Sequence, residues 1–188
     1  MTTTAKANRG PAAGPANRHA LIVAAREVFA ELGLNAPLSA VAKRAGVGQG
    51  SLYRHFPDRI ALAVAVFDDN VGEFERLADE PESTLRELFD LVAEQAIVST
   101  ALIDVIVSAP DDERTAALGI RMAAVIDRML ASDQAEGLVG THIATDDIML
   151  AVSMLAFLLS KTDAAERESV AARARALFRL AFAVQPDE

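Results

Sequence analysis

Between Ser39 and Pro57 the apolar pattern of this chain starts, stops, restarts and stops again. Val41, Ala42 and Ala45 make a short amphipathic segment, with Ser39 placed to cap it and Gly46 to end it. Val47 reopens the pattern, Leu52 and Phe56 share one face at i and i+4, and Pro57 prevents a smooth continuation. Upstream, Leu21, Ala25, Val28, Phe29 and Leu32 recur at helical spacing, giving a helix from Asn17, its expected cap, to about Leu32, with Gly33 as its stop. Two short helices joined by a glycine-containing turn, with a first helix crossing behind them, form a helix-turn-helix, whose second helix enters the major groove of DNA.

The remaining pattern is helical throughout. A long run from Asp58 carries Ile60, Leu62, Val66, Phe67, Val71, Phe74 and Leu77 and breaks at Pro81. Ser83 or Thr84 can cap the next helix, which carries Leu85, Leu88, Phe89 and Val92. A sixth helix, interrupted near Ser99 and Thr100, is expected to end at Ala109 and Pro110. Asp111, Asp112 and Glu113 then sit where a helix start favours negative charge, and Met122, Val125, Ile126 and Met129 continue that helix. Thr145, Asp146 and Asp147 are read as the cap of a segment from Ile148 to Ser160 that is apolar nearly all round and so has to be covered on every side. The last helix, from Ala164 to about Val184, has one stripe of Ala165, Ser169, Ala172 and Ala176 and another of Val170, Leu177 and Phe178. No strand pattern persists, and aromatic residues at 5% suit close-packed helices. The expected class is all-α, with about nine helices: a flexible tail over 1–16, a helix-turn-helix domain over 17–62 and a helical body over 63–188.

Charge divides the chain. Residues 1–59 hold eight Lys and Arg against three acids, whereas the whole protein carries a net charge of −9. A basic head on an acidic body points to a polyanionic partner. Cysteine is absent, which excludes disulfides, thiolate metal sites and cysteine nucleophiles. Residues 1–18 contain no Leu, Ile, Val or Phe, so no secretory signal is expected there. The mostly apolar segment from Ile148 falls short of the roughly 20 residues that span a bilayer. The expected place of action is the cytoplasm, away from any membrane.

Within the helix-turn-helix, Gln49 and Arg54 are placed to reach base edges. Ser39, Ser51, Tyr53 and His55 offer phosphate contacts, Arg59 adds a cation at the next helix start, and Arg44 can approach phosphate. Gly48 and Gly50, lacking Cβ atoms, let the backbone approach closely. The run "VFAELG" followed by "SAVAKRAGVGQGSLYRHFPDRIAL" resembles the DNA-binding region of TetR-type bacterial transcriptional regulators over about residues 17–62, without gaps. That resemblance implies operator contacts at Ser39, Gln49, Gly50, Ser51, Tyr53, Arg54, His55 and Arg59. Arg59 stands where such proteins usually have Lys and keeps the charge; Ile60 stands where an acid is common. It further implies a homodimeric repressor released from a palindromic double-stranded operator by a small-molecule effector held in the body.

For the body the expectations are coarser. Ala165, Ser169, Ala172 and Ala176 are the expected dimer seam, since small side chains allow close helix approach. Phe89, Met122, Met149 and Phe157 are candidate walls of an apolar effector pocket, and Asp104, alone among apolar neighbours, is a candidate partner for a cationic ligand. The acidic pairs at Asp111 and Asp146 are explained by helix starts, and three scattered histidines offer no metal spacing, so neither metal nor cofactor is expected. Neither a convergent titratable set nor a phosphate loop suggests an enzyme. The alternative is a constitutive, architectural DNA-binding protein without an effector.

Overall fold

The computed structural model describes residues 14–185, apart from positions 34, 100–102, 104, 105, 107, 108 and 110 and the side chain at 98. Among the described residues there are eight helices and no strand: α1 Gly14–Leu32, α2 Leu38–Arg44, α3 Gln49–His55, α4 Arg59–Asp79, α5 Leu85–Val98, α6 Glu113–Ala135, α7 Thr145–Lys161 and α8 Arg167–Phe182. The chain is all-α. The helix expected after Ser99 lies mostly outside the described residues, as does Asp104, although Ile103 is helical and buried there.

The helix ends show how local chemistry sets the layout. Asn17 is not the cap of α1 but lies within it, since the helix already includes Gly14, Pro15 and Ala16. Ser39 is not the cap of α2 either. That helix starts at Leu38 behind Pro37, whose fixed φ of −70° supplies the extended entry without a side-chain acceptor. α2 closes in a Schellman motif: Val47 N–H donates to Ala42 O at 3.0 Å and Gly46 N–H to Lys43 O at 3.2 Å, with Gly46 at φ +65°. This closure reverses the chain into α3. Phe56, preceding Pro57, takes the extended conformation that proline imposes on its neighbour, and α3 ends there.

Asp58 then caps α4, its carboxylate accepting from Ala61 N–H at 2.6 Å. Thr84 and Glu87 form a reciprocal capping box on α5, and Asp112 caps α6. At α7 the cap position is Ala144, which has no acceptor. Its own N–H is bound by Asp147 at 2.8 Å, and Thr145 instead donates its hydroxyl to Asp127 at 2.9 Å.

Two apolar cores are strung along α4. One gathers Leu21, Ile22, Ala25, Val28 and Phe29 of α1 around Val41, Leu52, Phe56, Leu62 and Val66. The other gathers Val71 and Phe74 with α5, α6, α7 and the inner face of α8. Phe67 packs against both. With 21 residues, α4 is about 30 Å long, enough to carry a displacement from one core to the other.

Its polar face is held by α6 through a ladder of arginines seven residues apart. Arg114 pairs with Asp58 at 3.3 Å, Arg121 with Asp68 and with Glu75 (2.8 Å), and Arg128 with Asp79 at 2.8 Å. The Arg121 guanidinium holds the Glu75 carboxyl below its ordinary range. Asp58 belongs to the turn directly after α3, so this ladder ties the body to the end of the head.

Candidate nucleic-acid interface

Seven residues of α3 present two faces. Leu52, with Phe56 just beyond the helix, is sunk into the head core at 1% and 2% exposure, which fixes the roll of the helix. The opposite face then has to project: Gln49, Gly50, Tyr53 and Arg54 are exposed, with Ser51 and His55 half-buried at its margins. Tyr53 is 52% exposed, unusual for a large aromatic side chain, and its hydroxyl has no partner among the described residues. An amide, a phenol and a guanidinium on one face can hydrogen-bond base edges and phosphates, while the glycine admits close backbone approach. Ser39 lies exposed in the first turn of α2.

The basic head is thinner than the residue count suggests. Arg26 points inward, donating to Asn70 Oδ1 at 2.8 Å and to Val66 O at 3.3 Å, and so bolts α1 to α4. Arg59 donates to Ala36 O at 2.8 Å and lies 5.2 Å from the centre of the Phe29 ring, in a structural position between α1 and α4. Arg44 is engaged by Glu31 at 2.6 Å and Glu27 at 2.9 Å, and its guanidinium keeps the Glu31 carboxyl below the usual range. A phosphate contact from Arg44 would therefore compete with two carboxylates. Arg18, which the sequence reading passed over, sits 5.6 Å from the Phe56 ring centre at the edge of the same surface. Its stacking partner lies far along the chain, so no local signal marked it.

In the body, the expected residues separate. A cavity of about 910 Å³ lies between the start of α5, the turn after α6 and one flank of α8. Phe89 lines it. Met122 is instead buried in the body core, Met149 packs half-buried against it, and Phe157 is 50% exposed on the outside of α7 with the Lys161 ammonium 5.5 Å from its ring centre. These three do not form the cavity wall, because the inward faces of α6 and α7 are filled by close packing. The residues of the expected alanine seam differ in their surroundings. Ala165 precedes α8, Ser169 and Ala172 are exposed, Ala172 borders the cavity, and Ala176 is half-buried.

Apolar surface is instead left open by Leu150, Met154, Phe157 and Leu158 of α7 and by Leu177 and Leu180 of α8, between 44% and 77% exposed. On α7 those residues follow i, i+4, i+7 and i+8, a stripe opposite Ile148, Ala151, Leu155 and Leu159, which are buried in the chain's own core. Among the described residues no helix is long and apolar enough to cross a membrane, and no group of three or more His, Asp or Glu could hold a metal ion.

This architecture is that of a helix-turn-helix DNA-binding protein with a helical body. Residues 21–66 match the family model for bacterial regulatory proteins of the tetR family. A TetR transcriptional regulator from Streptomyces coelicolor is 26% identical, with 90% of this chain and 99% of that one covered at a TM-score of 0.66. A TetR-family regulator from Pectobacterium atrosepticum is 19% identical over 95% and 100% of the two chains at a TM-score of 0.63. GusR of Salmonella enterica is 21% identical over 86% and 93% at a TM-score of 0.58. No curated protein matches the chain. The chain thus carries the DNA-binding region of the tetR family over residues 21–66 and is similar along its length to TetR-type transcriptional regulators.

Proposed function

We propose that the protein is a homodimeric repressor that reads a palindromic operator through a pair of α3 helices and releases it when a small molecule binds in the body. The observation that carries this reading is the outward face of α3, where Gln49, Tyr53 and Arg54 stand exposed above the buried Leu52 and Phe56. Ser39, Ser51, His55 and the backbone at Gly50 complete the surface offered to DNA. One such helix reads one half-site. A two-fold pair reads two half-sites about one helical turn apart, which requires a dimer of fixed spacing.

The open stripe on α7 and α8 supports that dimer, since six large apolar side chains on neighbouring helices exceed the scattered exposure of an ordinary surface. α4 supports the coupling. It is continuous from the end of the head to the body, and the arginines of α6 grip it at three levels. A ligand that shifts α6 or α5 moves α4, and with it the distance between the two reading helices. A coupling of about 1–3 kcal/mol changes operator affinity roughly 5- to 150-fold, and the operator weakens the ligand by the same factor. Such a protein acts in the cytoplasm, where the DNA is.

Selection of bound fragments from random DNA tests this reading. The expected product is an inverted repeat with half-sites about one turn apart. Recovery without any consensus would show a constitutive architectural protein instead.

A further inference from the structure

The large cavity has capacities that the protein itself leaves unused. One wall is aromatic: Phe89, Phe178 and Phe182 lie with ring centres 5.5 to 5.9 Å apart, and Phe178 and Phe182 are stacked. At the floor is Asp133, 3% exposed. One of its oxygens accepts from Leu85 N–H at 3.0 Å, and the other has no partner among the described residues. Burial pushes its carboxyl above the usual range. A buried carboxylate with one free oxygen is a strong acceptor for an O–H or N–H donor.

The rim carries Arg86, Arg175 and Arg179. Arg175 is held in place by Asp90 at 2.9 Å, with Glu168 at 3.7 Å. Arg86 and Arg179 are exposed and have no acidic partner among the described residues. At the start of α5 the N–H groups of Thr84, Leu85 and Glu87 are already bound by Glu87, Asp133 and Thr84. The free cations are therefore the two arginines.

We infer that this cavity is a binding site for aromatic organic anions that also carry a hydroxyl or amine donor. The ring packs on the phenylalanine wall, the anionic group meets Arg86 and Arg179 at the rim, and the donor meets the free oxygen of Asp133. Each ligand part then answers one unused capacity, and the volume lies within the range of small-molecule sites. A neutral aromatic leaves the arginines unanswered, and an aromatic cation has to enter past them. The cavity flanks α8 on the side of Ala172, whereas Leu177 and Leu180 face elsewhere, so a dimer formed through the leucines leaves it open. The effect of binding on DNA rests on the effector reading above; the binding itself does not.

Calorimetric titration of the full chain with 1-anilinonaphthalene-8-sulfonate, an aromatic sulfonate with an N–H donor, tests the site. N-phenyl-1-naphthylamine, the same body without the anion, is the comparison. One sulfonate should bind per chain, at least tenfold tighter than the neutral compound. The double substitution Arg86→Ala with Arg179→Ala, both on exposed side chains, should weaken the sulfonate at least tenfold and leave the neutral compound within twofold. Ala172→Trp, which fills the cavity from an exposed position, should abolish both. Equal affinity for the two compounds, or sulfonate binding that survives either variant, overturns the inference. Binding as expected, with operator affinity unchanged by the sulfonate, would uphold the site and remove only its role as the effector switch.

Discussion

Leu180→Ala is the sharpest perturbation of the proposed dimer. Leu180 is 77% exposed in the single chain, so little of it is used by the monomer's own fold. Truncation to alanine removes about three carbons, each contributing roughly 0.8 kcal/mol when buried, or about 2.4 kcal/mol for full burial. Scaled by the 77% available for burial, the loss is about 1.8 kcal/mol per copy, and two-fold symmetry counts it twice. The dimer should therefore weaken by between about 3 and 4 kcal/mol, a dissociation constant raised several hundred-fold on the scale of about 1.4 kcal/mol per decade. Thermal unfolding of the separated chain should hardly change. Sedimentation velocity across a dilution series measures the constant, with Ala172→Arg as the contrast. Ala172 borders the cavity flank, so a charge there should leave association intact. A dimer unaffected by Leu180→Ala but broken by Ala172→Arg would refute the apolar-stripe interface and restore the alanine seam.

Substitutions at two further positions probe the frame. Asp133→Leu leaves Leu85 N–H buried without an acceptor and should cost about 1–3 kcal/mol in chemical denaturation, whereas Asp133→Asn keeps an acceptor and should cost less. The folded-state pKa of Asp133 is raised by burial, so the folded protein binds that proton more readily than the unfolded chain does. This group therefore adds stability as pH falls from neutral through its folded pKa, and a pH series of melts should lose that component in Asp133→Asn. Gly46→Ala meets no steric neighbour but forces a Cβ into φ +65°; it should cost roughly 1–2 kcal/mol and loosen α3, seen as a lower melting temperature together with weaker DNA binding.

The head was legible in the sequence because its signals are local. Gly46 and Pro57 terminate helices through their own backbone chemistry, and Leu52 with Phe56 sets the roll of α3 from spacing alone. Thr84 was readable as one of two possible caps, with Ser83, and Asp112 as part of an acidic helix start, for the same reason. What failed to show depends on long side chains or on distant segments. Arg26, Arg44 and Arg59 count toward a basic head, yet each reaches across to another element: Asn70, the α1 carboxylates and Ala36 O. The last helix has two usable stripes, and only its packing beside α5 and α7 decides which one stays open. The cavity joins segments from Thr84 to Val184, so no window of sequence contains it. Met122, Met149 and Phe157 satisfied the composition of a pocket wall, but composition does not specify direction.

The central claim, that the exposed face of α3 reads DNA, is tested most directly by fluorescence anisotropy of the full-length protein. The titrations use its selected operator and a scrambled duplex over a range of salt. The unmodified chain should prefer the operator by at least about 10³-fold, with affinity falling by a log–log slope of about −0.9 per phosphate contact. Arg54→Ala should reduce that preference by about 1–3 kcal/mol if Arg54 pairs with a base edge. Tyr53→Ala should weaken operator and scrambled duplex alike, as loss of a phosphate contact does. Neither should alter the melting temperature, because both side chains are exposed. Equal binding of operator and scrambled DNA by the unmodified chain, or a Tyr53→Ala, Arg54→Ala double variant that binds the operator undiminished, would contradict the account.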